Sequence, residues 1–173
     1  MQVIECELPP GSALGGDAIR NAYFHDSYRV PLARPHLGMV DIFFALFGHT
    51  PPWMKGLLIV RNAAARLFGL EAPTAGEIMH PAVRSEYRVG EKIGPWPIFF
   101  MSDNEIVAGR NNKHLDFRLS VLKAKDGDDI SVVVSTVCTV HNVSGKIYLF
   151  FIVPFHRKGV RSLLSNAVAA KRL

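Results

Sequence analysis

The sequence predicts an α+β fold in which a curved antiparallel sheet wraps around a long C-terminal helix, a helix-grip arrangement with two helices after the first strand. From Tyr87 onward, apolar and polar residues alternate with a period of two, which is typical of half-buried antiparallel strands. The final segment has a helical pattern, and its first part, Ile147–Phe155, is apolar all round. Because a single sheet leaves one apolar face uncovered, this last helix is its natural cover.

Size and composition favour one globular domain over residues 1–173. The chain is 49% apolar and 20% charged, which are ordinary values for a folded domain. The N-terminus lacks the basic and apolar stretches of a signal peptide. The longest apolar run, Ile147–Phe155, has nine residues and is too short for an integral membrane segment, which needs about 20. Cys6 and Cys138 match no metal spacing, so we expect a cytoplasmic protein with reduced thiols.

The first half of the chain predicts one strand and two helices. An aromatic-rich strand covers 22–30 and ends at Pro31. A mostly apolar helix covers 38–47. A second helix begins at Pro52, since proline is well tolerated in a first turn, and Gly69 is its expected stop.

The second half predicts an antiparallel meander followed by the last helix. Strands are expected at 98–101, 105–110, 114–121 and 130–142, each separated from the next by a polar turn. Ser144 is expected to cap the final helix. Pro154 is expected to kink or split it, because proline removes one backbone hydrogen bond.

The positive charge of the protein is concentrated in its last quarter. The net charge is +5, and the sequence contains no Asp or Glu after Asp129 but six Lys and Arg. Such a surface can meet an acidic partner, a phosphate or a membrane surface, and Arg157 and Arg161, one turn apart, could clamp an anion. The alternative is a solvated helix face that happens to lack acidic residues.

One strand carries the most informative polar pattern. Alternation places His114, Asp116 and Arg118 on one face and Leu115 and Phe117 on the other. The polar face of the next strand, which leads to His141, could lie beside them. Asp116 is expected to bridge His114 and Arg118, or one of them and a neighbouring strand. These four residues are weak acid–base candidates that could orient a ligand or shuttle a proton. The alternative is a charged outer sheet face with cross-strand pairs.

Several kinds of chemistry have no support in the sequence. His114, Asp116 and His141 could supply three metal ligands, but no standard metal-binding spacing accompanies them, so we expect no metal. The sequence contains no G-x-S-x-G elbow, no G-x-G-x-x-G and no Walker A motif. We therefore expect no cofactor, and nucleic acid is not an expected partner.

A set of short strings resembles one family. Two of them are specific: HLDFR at His114–Arg118 and PFHR at Pro154–Arg157. The weaker strings, in the same order, are Tyr28–Val30, Pro51–Trp53, Arg61–Asn62, Phe68–Leu70, Ile93–Pro95 and His141–Asn142. Together they resemble the bacterial domain-of-unknown-function family numbered 2867 over about residues 22–165. The resemblance implies a relationship to START-like helix-grip proteins, which include polyketide cyclases and lipid carriers. It implies no catalytic residues, and members also occur behind short-chain-dehydrogenase-like domains.

Three functions are therefore compatible with the sequence. The first is a non-catalytic module that binds an apolar or lipid-like molecule in a cavity between the sheet and the last helix. The residues expected to line this cavity are Phe99, Met101, Leu115, Phe117, Phe151 and Phe155. The second is a cofactor-free enzyme of the cyclase or dehydratase type that uses His114 and Asp116. The third is an accessory domain that docks on a short-chain-dehydrogenase-like oxidoreductase through its basic helix, and a homodimer is also compatible with the sequence.

Overall fold

A computed structural model of the chain describes residues 3–49, 51–67, 84, 86–127 and 129–173. The strands, in chain order, are β1 (Ile4–Glu5), β2 (Phe24–Pro31), β3 (Lys92–Ile93), β4 (Trp96–Met101), β5 (Glu105–Asn111), β6 (Leu115–Asp126) and β7 (Asp129–Val140). The helices are α1 (Gly15–Arg20), α2 (Met39–Phe47), α3 (Pro52–Leu67) and α4 (Val143–Ala169).

The seven strands form one curved antiparallel sheet with the order β1-β2-β7-β6-β5-β4-β3. The predicted meander accounts for β4 to β7, which pair with their neighbours in sequence. The first long strand, β2, pairs with β7, the last, over eight residue pairs from Phe24↔Cys138 to Pro31↔Ser131. The predicted α+β class and antiparallel sheet are thus confirmed.

One sheet face, here called the inner face, contacts α2 and α4. It carries the apolar residues of the alternating strands, because residues two apart point to the same side. Ile42, Phe43 and Leu46 of α2 reach this face, together with Val160, Leu164 and Ala167 of α4. Sheet residues in this core are Tyr28, Val30, Ile98, Ile106, Ala108, Leu119, Val121, Val132 and Val134. The sheet and the last helix therefore bury one continuous apolar layer.

The opposite face, here called the outer face, is partly covered by the chain between β1 and β2. Leu14 of this segment packs on Val107 and Val137. Glu105 is buried there, and its carboxylate accepts hydrogen bonds from Ser12 Oγ at 2.6 Å, Ala13 N at 2.7 Å and Ser120 Oγ at 2.5 Å. The N-terminal segment is thus fastened to the sheet through a buried carboxylate.

The last helix differs from its prediction at two points. Asn142 caps it, not Ser144, because the Asn142 side chain accepts a hydrogen bond from Gly145 N. Pro154 lies inside one uninterrupted helix, so the expected split is wrong. Apolar residues on both sides of the proline, Leu149 before it and Val160 after it, pack on the same sheet, and this packing compensates for the missing backbone hydrogen bond.

Two further element boundaries were predicted, at the end of β6 and at the end of α3. Strand β6 continues to Asp126, beyond the predicted end at Val121. The predicted stop of α3 at Gly69 lies outside the described residues. Within the part of the chain that the structure describes, no helix combines the length and apolarity needed to cross a membrane.

Candidate functional site

A polar cluster lies on the inner face where β2 meets α4; we call it the β2–α4 site. Asp26 of β2 is almost completely buried, with 2% of its side chain exposed. Nε2 of His156 on α4 lies 3.2 Å from Asp26 Oδ1. Because a carboxylate oxygen only accepts, the histidine Nε2–H donates this hydrogen bond. A helix residue thus contacts a buried carboxylate of the sheet.

Three buried polar atoms of this site make no hydrogen bond of good geometry with the described residues, although Asp26 and Arg161 both neighbour the Tyr28 hydroxyl. They are Asp26 Oδ2, Tyr28 hydroxyl and Thr136 Oγ1. Asp26 and Thr136 are register partners on adjacent strands, and Tyr28 is two residues along the same face. Leaving a buried polar group without a partner costs about 1–3 kcal/mol. Such groups are met by ordered water or by a ligand in folded proteins, so this patch is a candidate binding site.

The electrostatic surroundings of Tyr28 are also unusual. Burial, and then the negative charge of Asp26, raise the pKa of the Tyr28 hydroxyl above its ordinary value. The guanidinium carbon of Arg161 lies 5.1 Å from the centre of the Tyr28 ring, and Arg161 also contacts Glu5 of β1. The hydroxyl is thus neutral at physiological pH and can donate or accept a hydrogen bond.

Apolar side chains adjoin the polar cluster under the first half of α4. Leu115, Cys138, Tyr148 and Leu149 form a small buried cluster there. Partly buried around it are Phe24, Phe117, Val140, Ile152 and Val153. The Phe24 ring meets the His156 ring edge-on at 5.7 Å. The polar patch therefore lies at one end of an apolar region that is less completely buried than the main core.

Local sequence rules explain how these residues come together. In β2, the period of two places Phe24, Asp26 and Tyr28 on the inner face. In α4, His156 lies one turn before the buried Val160, so it shares the side that faces the sheet. The hydrogen bond joins residues that are 130 positions apart.

The predicted acid–base candidates occupy the outer face and the start of α4. Asp116 Oδ2 lies 3.1 Å from His141 Nε2, so Asp116 contacts the residue after β7 and not His114. His114 Nδ1 lies 3.0 Å from Asn142 Oδ1, the oxygen that caps α4. Arg118 stacks on Phe99, with 3.7 Å between its guanidinium carbon and the ring centre. Burial lowers the pKa of Arg118, and Asp116 opposes that shift. The structure thus divides these residues among three separate contacts.

The six residues predicted to line an apolar cavity lie on three surfaces. Leu115, Phe117 and Met101 contribute to the apolar layers between the sheet and the helices. Phe99 lies on the outer face beside Arg118. Phe151 and Phe155 are exposed on α4, at 63% and 56%. Phe99 and Met101 were expected on the same face of β4. The bulge between Ile98 and Phe100 adds a residue that reverses the alternation, so the two side chains lie on opposite faces.

Two open clefts lie on the described part of the protein, and no residue of α4 lines either of them. One, of about 330 Å³, is lined by Lys92, Pro97, Phe99, Arg110 and Asn111. The other, of about 390 Å³, is lined by Glu5, Cys6, Glu7, Leu8, Ile19, His25, Asp26 and Ser27. Burial raises the pKa of the Cys6 thiol, so its reactive thiolate is disfavoured. Among the described residues, no three His, Cys, Asp or Glu side chains are grouped to hold a metal.

The β2–α4 site is not predicted by the sequence alone. One signal was present: Asp26 stands between Phe24 and Tyr28 at alternate positions of a strand, which puts a carboxylate on an otherwise aromatic face. His156 lies in the PFHR string, but the sequence does not reveal its partner. Thr136 stands in a long β-branched strand and has no distinguishing neighbour.

Fold and site define the protein as an α+β domain with a polar cluster buried between its antiparallel sheet and its C-terminal helix. The model of the family described as "Protein of unknown function (DUF2867)" matches residues 18–163. The chain belongs to this family, as its resemblance predicted. Among curated proteins, none matches the sequence.

Proposed function

We propose that the protein is a small-molecule binding module of the helix-grip type, related to the START-like proteins. Its ligand is an apolar, lipid-like molecule with one hydroxyl group, held between the sheet and α4 at the β2–α4 site. One observation carries this proposal: Asp26 Oδ2, Tyr28 hydroxyl and Thr136 Oγ1 are buried together without partners in the described part of the protein. Mostly apolar pockets with a few convergent polar groups are typical of small-molecule sites.

The three polar groups supply one hydrogen-bond acceptor and two donors for a ligand hydroxyl. Asp26 Oδ2 accepts the hydrogen bond that the ligand hydroxyl donates, while His156 holds Oδ1 in place. Tyr28 and Thr136 donate to the ligand oxygen, since both side chains carry a hydroxyl hydrogen. A hydroxyl therefore satisfies all three unpaired groups, whereas an alkane of the same shape leaves them unpaired.

We assign the apolar body of the ligand to the region under the first half of α4, where the helix has to move to make room for it. Phe117, Ile152 and Val153 are only partly buried there, around Cys138. This half of the helix begins at Asn142 and ends near Pro154, whose missing N–H leaves the backbone oxygen of Phe150 without its usual helical partner. A helix bends most easily at such a point, so the first half of α4 can move to admit a ligand while the second half stays packed.

A thermal-shift comparison tests this proposal. Long-chain alcohols and sterols should raise the unfolding temperature of the wild-type protein, because a ligand that binds only the folded state stabilises it. Alkanes of matching length should have a much smaller effect. The Thr136→Val variant should bind the alcohol about tenfold more weakly, because one hydrogen bond to a buried group is lost. Its thermal shift at a given alcohol concentration should therefore be smaller than that of the wild type.

Thr139→Val is the matched control for this experiment. Thr139 lies on the same strand but pairs with Asp116 on the outer face. Its substitution should leave the ligand response unchanged. Equal losses in both variants, or no stabilisation by any hydroxyl-bearing apolar compound, would contradict the proposal.

A second candidate function is favoured by the contact between His156 and Asp26. A carboxylate that orients an imidazole is the arrangement of a general base, and Tyr28 stands beside it as a hydroxyl donor. This candidate is a cofactor-free cyclase or dehydratase acting on the bound molecule. Incubation with a bound ligand followed by mass spectrometry distinguishes the two functions. A product that disappears in His156→Gln supports catalysis, and an unchanged ligand supports binding alone.

A further inference from the structure

The outward side of the first half of α4 is apolar and exposed. We call this surface the α4 apolar face. Its residues are Val143, Ile147, Phe150, Phe151 and Phe155, exposed at 68%, 47%, 75%, 63% and 56%. Their spacing of four, three, one and four places them on one side of the helix, opposite the buried Leu149. Single exposed apolar residues are ordinary on a protein surface, but a contiguous row of this kind marks an interaction surface.

The charges around this surface have one sign. Lys146, Arg157 and Lys158 are exposed on α4 beside the apolar row, and Lys113 is exposed in the turn that contacts the start of the helix. The sequence from residue 130 to residue 173 contains no Asp or Glu. The helix therefore presents large apolar side chains bordered by cations without an acidic side chain of its own.

We propose that the α4 apolar face docks on an anionic lipid surface. A helix with exposed aromatic and aliphatic residues on one face and bordering Lys and Arg lies in the plane of a membrane, with its apolar side about 5–10 Å into the headgroup region. The row from Val143 to Phe155 is about 18 Å long, because a helix rises 1.5 Å per residue. The cations then meet the lipid phosphates, which attract basic residues near the membrane surface.

Charge also argues against a second copy of the chain as the occupant. Two α4 apolar faces packed together would bring Lys146, Arg157 and Lys158 of both copies close to each other. Neither helix has an acidic residue to offset this repulsion, and like charges across an interface disfavour association. An anionic lipid surface matches both the apolar row and its basic border.

This proposal stands apart from the β2–α4 site, because its residues point away from the sheet. It remains valid if no small molecule binds under α4. Arg157 also lies over the Phe24 ring of that site, with 5.6 Å between its guanidinium carbon and the ring centre. The phenylalanine variants, at exposed positions of α4, are therefore the ones that separate the two surfaces.

Co-sedimentation of the full chain with vesicles tests the proposal. We expect binding to vesicles of equal parts phosphatidylcholine and phosphatidylglycerol, and much weaker binding to phosphatidylcholine alone. Phe150→Ser combined with Phe151→Ser should reduce partitioning by about tenfold for each phenylalanine removed. Phe100→Ser is the matched control, since Phe100 is 41% exposed on a strand on the other side of the sheet.

A charge variant separates lipid docking from general attraction of a basic protein. Combined Lys146→Gln, Arg157→Gln and Lys158→Gln should lower binding to anionic vesicles to the level seen on neutral ones, and Lys125→Gln should not. Circular dichroism checks that each variant keeps its fold, which is expected because all substituted side chains are exposed.

Three results would overturn the proposal. The first is the absence of binding to anionic vesicles. The second is equal binding by the phenylalanine double variant and the wild type, which would show that charge alone acts. The third is a dimer in light scattering that the Phe150→Ser and Phe151→Ser changes abolish while vesicle binding is absent, which would assign the face to a second copy.

Discussion

Asp26 on the second strand and His156 on the last helix form a hydrogen bond of 3.2 Å across the sheet–helix layer. The carboxylate is almost fully buried, and the imidazole is about a quarter exposed. The contact therefore joins the interior of the sheet to the part of α4 that follows Pro154. It also fixes one carboxylate oxygen, while the other has no hydrogen-bond partner among the described residues.

A double-mutant cycle measures how strongly this contact joins the two elements. Asp26→Asn and His156→Gln should each reduce the free energy of unfolding, and the coupling between them should be about 1–3 kcal/mol, because residues in direct polar contact are not additive. Chemical denaturation of the wild type, both single variants and the double variant gives the coupling. Additive effects would show that the two side chains do not interact in solution.

The raised pKa of Tyr28 predicts that the stability of the protein depends on pH in the alkaline range. The folded-state pKa of Tyr28 is raised by burial and by Asp26 above the ordinary value of about 10. The unfolded chain therefore loses this proton first, so the free energy of unfolding falls as the pH rises above about 10. The slope attributable to Tyr28 is up to about 1.4 kcal/mol per pH unit.

Denaturation at several pH values between neutral and alkaline checks this slope. In Tyr28→Phe the decline should be shallower than in the wild type, and the variant should be at least as stable at pH 7, because an unpaired buried hydroxyl is removed. Tyr23→Phe, which alters an exposed ring, serves as the control. Identical alkaline slopes for wild type and Tyr28→Phe would be inconsistent with the buried position of this hydroxyl.

Two glycines of α4 should respond in opposite directions to alanine. A Cβ on Gly145 would lie 2.3 Å from the backbone oxygen of His114, so the start of the helix would have to move. We expect Gly145→Ala to lower the free energy of unfolding by about 1–3 kcal/mol. A Cβ on Gly159 would meet Met54 Cε at 3.9 Å, an ordinary contact. Gly159→Ala should therefore raise stability by about 0.5–1 kcal/mol through helix propensity. Chemical denaturation of both variants and the wild type gives the two changes in midpoint. Changes of the same sign would contradict the close packing of Gly145.

Glu105 should hold the N-terminal segment on the outer face. In Glu105→Ala the hydroxyl of Ser12 and the amide of Ala13 lose their shared acceptor. We expect a loss of about 2–4 kcal/mol, since several buried polar groups become unpaired together. Hydrogen exchange of the Ala13 amide should accelerate. Glu86→Ala, at an exposed position, is the control. If the Ala13 amide exchanged as slowly in Glu105→Ala as in the wild type, the proposed attachment would be wrong.

The sequence predicted the elements better than the contacts between them. Strict alternation located β6, and the β-branched run located β7, because these signals lie within one strand. Phe99 was assigned to the wrong face because a bulge adds a residue that alternation does not reveal. Ser144 was expected to cap α4, but His114 and Lys113 hold Asn142 in that position through contacts across about 28 residues.

The candidate site could not be predicted for a related reason. Asp26, Thr136 and His156 belong to elements whose pairing is set by the sheet topology, in which the first long strand joins the last. Nothing local identifies β7 as the partner of β2, so the carboxylate and the histidine appear unrelated in sequence. The polar residues of His114–Arg118 share one strand face in the sequence pattern, but each contacts a different partner in the structure: Asn142, His141 and Phe99.

The most direct test of the proposed function is the location of a bound alcohol by NMR. A long-chain alcohol should shift the methyl signal of Thr136 and the ring signals of His156 and Tyr28, and it should leave the Thr139 methyl unchanged. Shifts confined to the outer face near Phe99 or Cys6, with the Thr136 and His156 signals unmoved at saturation, would contradict a ligand site between the sheet and α4.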